Sequence, residues 1–272
     1  MPFASLDSRR VSYGDGGTGV PVVLIHGSFS TSSVWKRIVA NLDADRARTL
    51  TPDLPGWGDS DPAPEDCADL GEYHAAAVEA AVTQAAVNPI HLVAHSYGAV
   101  IALTIAIAGR VAIRSLTLFE PLPLGLLAQT GDREAFAEVE AFVRRYRSAF
   151  DSGDEWAARH VIDFWGGSGT FDAMSASARA AIAAGTVQNI RDFGANVGFR
   201  PSLAACRSIR APLTVALGEQ ASPIARLVGR RLCELIPDSA LVEIPAAGHF
   251  MIHTHASESA KLVCQNALGG ES

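Results

Sequence analysis

Neither a block of Lys and Arg residues nor a closely spaced pair of cysteines occurs in the 272-residue chain. Acidic residues outnumber basic ones, 29 to 22, for a net charge of −7. An acidic chain without a basic patch is a poor nucleic-acid binder, so no nucleic-acid partner is expected. The four cysteines, Cys67, Cys206, Cys233 and Cys264, lie far apart and contain no C-x-x-C pair. That spacing excludes a zinc knuckle and a disulfide scaffold and fits reduced thiols. The longest apolar run, Ala99 to Ala108, is about half of what a membrane span needs. The opening MPFASLDSRR carries no apolar stretch of a secretory signal. A cytoplasmic protein without a membrane partner is therefore expected. No glycine-rich phosphate loop of the nucleotide-binding types is present, so no cofactor is expected.

Hydrophobic residues make up 48% of the chain and charged residues 19%, a globular composition. Short β-branched runs alternate with helix-prone stretches. Val11 to Tyr13, Val20 to Ile25, Arg48 to Pro52, Ile90 to Ala94 and Ile113 to Phe119 read as strands, as do Pro212 to Leu217 and Ala240 to Ile244. Helices are expected over Thr31 to Leu42, Leu70 to Val87, Tyr97 to Ala108, Ala225 to Ile236 and Ser257 to Ala267. Apolar, non-alternating strands separated by helices predict an α/β fold: a mostly parallel sheet with helices on both faces. Between Leu122 and about Ile209 the strand pattern disappears. Arg133 to Phe150, Glu155 to Trp165 and Ser177 to Phe193 are helical instead. The chain thus divides into a first core part (residues 1–121), an inserted all-helical cap (122–208) and a second core part (209–272). The cap is expected over the carboxyl edge of the sheet, where ligands bind in such folds, with some of its aromatic residues lining an apolar pocket.

Chemistry concentrates at four strand ends. The segment Ala94-His95-Ser96-Tyr97-Gly98 joins a buried strand to a helix. That is the setting of a G-x-S-x-G nucleophile elbow, here with Ala94 in place of the first glycine. Ser96 would stand exposed above the sheet, and the Tyr97 N–H at the helix start would face developing negative charge. The plainer alternative is an N-cap serine. The strand Val22 to Ile25 runs into His26-Gly27-Ser28, whose Ser28 N–H is expected to be a second oxyanion donor. A Gly/Pro-rich loop, Asp53 to Ser60, follows another strand. Finally, Gly248-His249 lies in a loop after the last strand, from which His249 can swing to Ser96.

In order and spacing these four motifs resemble the α/β-hydrolase superfamily over about residues 9–121 and 210–268. The resemblance implies Ser96 as nucleophile, His249 as general base, and Ser28 and Tyr97 at the oxyanion-hole positions. It also implies an acid, and here the chain departs from the pattern. The usual place, three residues past the glycine that ends the penultimate strand, holds Ala221. Two carboxylates compete for the role. Glu120 ends the strand Ser115 to Phe119, a location used by some members of the superfamily. Glu219 sits on the usual strand but two residues early. Glu120 is the first choice, ahead of both Glu219 and a Ser-His pair without an acid.

His253 and His255 form an H-x-H pair, but with no neighbouring Asp or Cys partners no metal site is expected. The function expected is a serine hydrolase, esterase-like, acting on a small, partly apolar molecule through an acyl-enzyme. A serine argues against the dehalogenases and epoxide hydrolases of the same fold, which need a carboxylate nucleophile. The competing expectations are a cofactor-free oxygenase or perhydrolase, and a small-ligand-binding protein without catalysis. Oligomeric state has no signature in the sequence.

Overall fold

A computed structural model describes residues 1–269. Eight strands form one sheet in the order β1-β2-β4-β3-β5-β6-β7-β8. They are β1 (Phe3–Leu6), β2 (Arg9–Gly16), β3 (Val20–Ile25), β4 (Ala47–Pro52), β5 (Ile90–His95), β6 (Ile113–Phe119), β7 (Leu213–Gly218) and β8 (Ser239–Ile244). The pairs β1/β2 and β2/β4 are antiparallel, and every other pair is parallel. The central strands are the most apolar: all six residues of β5 are buried. Strands covered on both faces need no polar alternation, which is why β3 reads as a continuous apolar run and β5 is interrupted only by His91 and His95.

Flanking the sheet are α1 (Lys36–Val39), α2 (Leu70–Gln84), α3 (Gly98–Ala108), α11 (Pro223–Leu235), α12 (Met251–Thr254) and α13 (Ala256–Leu268). Asp69 caps α2 by accepting from the Glu72 N–H, and Ser222 caps α11 ahead of Pro223, which fits the first helical turn. Helix α3 is apolar all round and lies directly against the sheet. A Cβ at Gly98 would stand 2.7 Å from the Ile25 carbonyl oxygen, so only glycine lets the helix start this close to β3.

Between β6 and β7 the described residues contain only helices: α4 (Leu126–Thr130), α5 (Arg133–Asp151), α6 (Arg159–Gly166), α7 (Thr170–Ala173), α8 (Ala176–Ala184), α9 (Thr186–Gly198) and α10 (Leu203–Ser208). No helix among the described residues is long and apolar enough to cross a membrane.

Two local expectations are corrected. The continuous helix expected over Thr31 to Leu42 is a 3₁₀ turn, Ser32–Trp35, followed by the single turn α1. Its start is fixed from two sides: the Ser32 N–H donates to Asp53 Oδ1 in the loop after β4 (2.6 Å), and Thr31 caps the turn. Strand β1 was not expected. It has four residues and buries only Ala4 fully, too little to leave an apolar pattern.

Candidate active site

Ser96, Glu120 and His249 leave three different strand ends and meet at the carboxyl edge of the sheet. Ser96 follows β5 with φ of +54°, a conformation that L-residues rarely adopt. Its N–H donates to the Phe119 carbonyl (3.0 Å), so the β5/β6 ladder continues one residue past the strand and fixes the turn. Close beneath it runs Gly27, whose added Cβ would stand 3.0 Å from the Ser96 Cβ. Glu120 follows β6 in the same way. Its φ is +39°, and its N–H donates to the Ala216 carbonyl (2.8 Å).

His249 comes from the loop after β8. Its Nε2 lies 3.1 Å from Ser96 Oγ, and its Nδ1 lies 3.2 Å from Glu120 Oε2. A carboxylate facing Nδ1 fixes the proton there, which leaves Nε2 as the acceptor for the serine hydroxyl. Both members of the Glu120–His249 pair are buried. The other carboxylate oxygen, Oε1, accepts from the Gly218 N–H (3.0 Å), so both oxygens of Glu120 are held.

Glu219 is elsewhere. Its Oε2 accepts from the N–H of Ala246 (2.7 Å), a residue with φ of +57° in the turn that leads to His249. It braces the histidine loop without touching the ring. Ala221 is buried three residues past the end of β7, and its side chain offers no polar group.

His95, the residue inside the elbow, also supports that loop. Its Nε2 donates to the main-chain oxygen of His249 (2.8 Å). Buried and beside a second imidazole, it is pushed down to a pKa of about 3 and stays neutral. His26 accepts from the Leu54 N–H at Nε2 (3.0 Å) and donates from Nδ1 to the Gly27 carbonyl (2.7 Å). Burial lowers its pKa as well. The Tyr97 hydroxyl hydrogen-bonds His74 Nδ1 (3.2 Å), and burial brings His74 down to about 3.

A cavity of about 260 Å³ opens above Ser96. Its floor includes Ser28, Ser96, Tyr97 and His249, and its walls come largely from the helical segment: Val161, Ile162, Trp165, Met174, Ile182 and Phe193. No Lys or Arg is among its lining residues. Helix α9 adds three polar groups to this apolar wall, Asn189, Asp192 and Asn196. None of them was anticipated, although a signal existed. Thr186, Asn189, Asp192 and Asn196 recur at helical spacing on the buried face of α9, where apolar residues are the norm. Asp192 Oδ2 accepts from Ser28 Oγ (2.5 Å) and Trp57 Nε1 (2.9 Å), and Oδ1 accepts from Gln188 Nε2 (2.8 Å). Burial raises its pKa to about 7 against these donors. Among the described residues no cluster of His, Cys, Asp and Glu could hold a metal ion.

These shifts set a pH dependence for stability. His26, His74 and His95 bind protons less readily folded than unfolded. Their contribution is therefore full above about pH 6.5 and is lost as the pH falls below it. Asp192 works the other way, because its raised pKa favours the folded state as the pH falls below about 7. Each group contributes at most about 1.4 kcal/mol per pH unit, so the three imidazoles prevail. The urea midpoint should fall between pH 7 and pH 5, and more steeply in Asp192→Asn. A flat or rising midpoint would refute this assignment.

Curated relatives match parts of the chain. The "Probable lysophospholipase BODYGUARD 1" of Arabidopsis thaliana is 38% identical over 105 residues, covering 37% of this chain and 22% of that protein. The pimeloyl-[acyl-carrier protein] methyl ester esterase of Methylococcus capsulatus is 34% identical over 153 residues, 55% of each chain. The chain thus spans between about a fifth and about half the length of these relatives. Among solved structures, the esterase EaEST from Exiguobacterium antarcticum superposes with a TM-score of 0.77 over 98% of this chain and 99% of that one, at 16% identity. Its likeness speaks for the fold. A profile of the alpha/beta hydrolase family matches residues 22–262, from within β3 to within α13, and the chain belongs to that family.

Proposed function

We propose that the protein is a serine hydrolase that cleaves an ester-like bond of a small, uncharged and partly apolar molecule through an acyl-enzyme. The observation that carries this reading is the Ser96–His249–Glu120 relay, with 3.1 Å between Ser96 Oγ and His249 Nε2 and 3.2 Å between His249 Nδ1 and Glu120 Oε2. Ser96 Oγ attacks the substrate carbonyl carbon while its proton passes to His249 Nε2. The carbonyl oxygen becomes an oxyanion that takes hydrogen bonds from the main-chain N–H groups of Ser28 and Tyr97. Neither amide donates to another acceptor among the described residues, and both residues face the cavity. Collapse breaks the bond to the leaving group, which departs with the proton held by His249. Water then gives a proton to His249 Nε2 and attacks the acyl carbon, and the returned proton frees Ser96. Glu120 keeps the imidazole in the required tautomer and stabilises its cation in both halves of the cycle.

Residues 122–208 act as the cap of this site, between core parts 1–121 and 209–272. Their side chains close the cavity and keep bulk water from the acyl-enzyme. Size and charge set the substrate class. A volume of about 260 Å³ equals about nine water molecules at ~30 Å³ each, enough for a short or medium acyl group. With no Lys or Arg in the lining and a buried carboxyl on its wall, the site offers a substrate carboxylate no fixed cationic partner. The free cysteines support a reducing, cytoplasmic setting.

Purified protein should be labelled at Ser96 by a fluorophosphonate and should hydrolyse p-nitrophenyl butyrate. The matching ester of a dicarboxylic half-acid should show kcat/KM lower by roughly tenfold or more. An unlabelled Ser96 with tight ligand binding would instead indicate a binding protein. Turnover that depends on peroxide or oxygen would indicate the perhydrolase or oxygenase chemistry. Equal rates on the two esters would overturn the charge preference.

A further inference from the structure

Building on that serine-hydrolase reading, we infer that Asp192 is a positioning residue: from the cap it fixes the Ser28 main-chain N–H in its oxyanion-binding direction. The chain turns at Ser28 and Phe29 after β3, and neither of their N–H groups donates to a main-chain oxygen. Phe29 has φ of +55°, strained for a bulky side chain, so the conformation that turns the Ser28 amide into the cavity must be held from outside.

What holds it comes from α9 and from the Asp53–Ser60 loop, far apart in sequence. Ser28 Oγ donates to Asp192 Oδ2 (2.5 Å) and accepts from Asn189 Nδ2 (2.7 Å). With its hydrogen donated and one lone pair occupied, the hydroxyl is committed to the cap, and the residue's free donor is its N–H. Asn189 is itself oriented by Tyr146, whose hydroxyl donates to Asn189 Oδ1 (2.8 Å). The same carboxylate oxygen of Asp192 accepts from Trp57 Nε1 (2.9 Å), and the Trp57 ring meets Phe29 edge to face with centroids 5.9 Å apart. Asp192 thus grips Ser28 directly and Phe29 through Trp57. Gln188, one turn earlier on α9, completes the set on Oδ1.

Burying a carboxyl group against apolar walls is unfavourable unless its hydrogen bonds compensate. Three donors converge on Asp192, and two of them, Ser28 and Trp57, belong to the loops after β3 and β4. If the carboxyl only pinned α9 to the core, the Ser28 contact could be lost without affecting the reaction. If it aims the amide, losing the contact weakens binding of the oxyanion more than binding of the ground-state ester.

The test compares Asp192→Asn, Asp192→Ala, Ser28→Ala and the Asp192→Ala/Ser28→Ala double variant with wild type. Rates are taken per active site titrated with a fluorophosphonate, so that unfolded protein drops out. The substrate is p-nitrophenyl butyrate, and the transition-state probe is phenylboronic acid, whose serine adduct is a tetrahedral anion. Asp192→Ala and Ser28→Ala should each lower kcat by roughly 10- to 100-fold with KM nearly unchanged. Boronate affinity should fall in parallel, and the double variant should be no worse than the worse single one. Unchanged kcat and boronate affinity per titrated site would overturn the inference, as would an effect confined to KM. If wild type itself neither labels nor turns over ester, the hydrolase reading fails first; a reactive wild type with indifferent variants removes only the role of Asp192.

Discussion

Ser96→Ala should lower kcat for ester hydrolysis by about 10³-fold or more while leaving the fold intact. In the proposed mechanism the hydroxyl is the atom that bonds to the substrate, so its loss should leave only what the oxyanion donors and the pocket contribute. The fold should tolerate the change because the turn is held by main-chain bonds: Ser96 N to the Phe119 oxygen, and Ala99 N to the Ser96 oxygen. Alanine is no larger than serine and meets the same strain at φ of +54°. Boronate inhibition and fluorophosphonate labelling should disappear together with turnover, and the thermal midpoint should stay close to that of wild type. Activity retained in a variant purified away from host esterases would remove Ser96 from the mechanism.

The second large effect is expected at Glu120. A glutamine there can present its NH₂ to His249 Nδ1 and so favour the tautomer with the proton on Nε2, where it opposes the Ser96 hydroxyl. A loss of roughly 10³- to 10⁴-fold in kcat is expected for Glu120→Gln. Glu219→Gln should cost far less, since Glu219 touches the Ala246 amide and not the imidazole. Measuring kcat and KM for both variants on one ester, with stability checked by urea denaturation, separates the two carboxylates. The reverse ranking would move the acid to Glu219, and two near-wild-type variants would leave a Ser-His dyad.

Much of this arrangement is local in origin and could be read from sequence. An apolar strand that ends in Ala94-His95-Ser96-Tyr97-Gly98 leaves little choice of turn, because both strand and helix must pass close to β3. Loop histidines and strand-end carboxylates are likewise visible as residues. Their distances are not, since they depend on strand order: Glu120 lies beside Ser96 because β6 pairs with β5 in register, His95 opposite Phe119. The polar face of α9 escaped notice for a different reason. Periodicity there marks a helix but not its face, and Asn189, Asp192 and Asn196 sit on the face that the helix buries. A polar residue at a core position has meaning only through its partner, and the partners Ser28 and Trp57 lie more than a hundred residues away.

The placement of Glu120 has a consequence for grafting. The carboxylate ends β6, and Pro121 begins the connection into the helical segment. That connection is tied down at once: the Leu122 N–H approaches the Ser96 carbonyl (3.4 Å), and the Leu124 N–H donates to Asn196 Oδ1 (2.9 Å). Among the described residues, the return path into β7 through Ile209 makes no such link to Ser96 or His249. The two junctions are therefore unequal. A chimera that imports a foreign helical segment must reproduce the entry through Phe119-Glu120-Pro121 closely. At the exit, between α10 and β7, insertions ahead of Pro212, whose carbonyl accepts from the Leu116 N–H, should disturb Ser96, Glu120 and His249 less, which makes that junction the better place to splice.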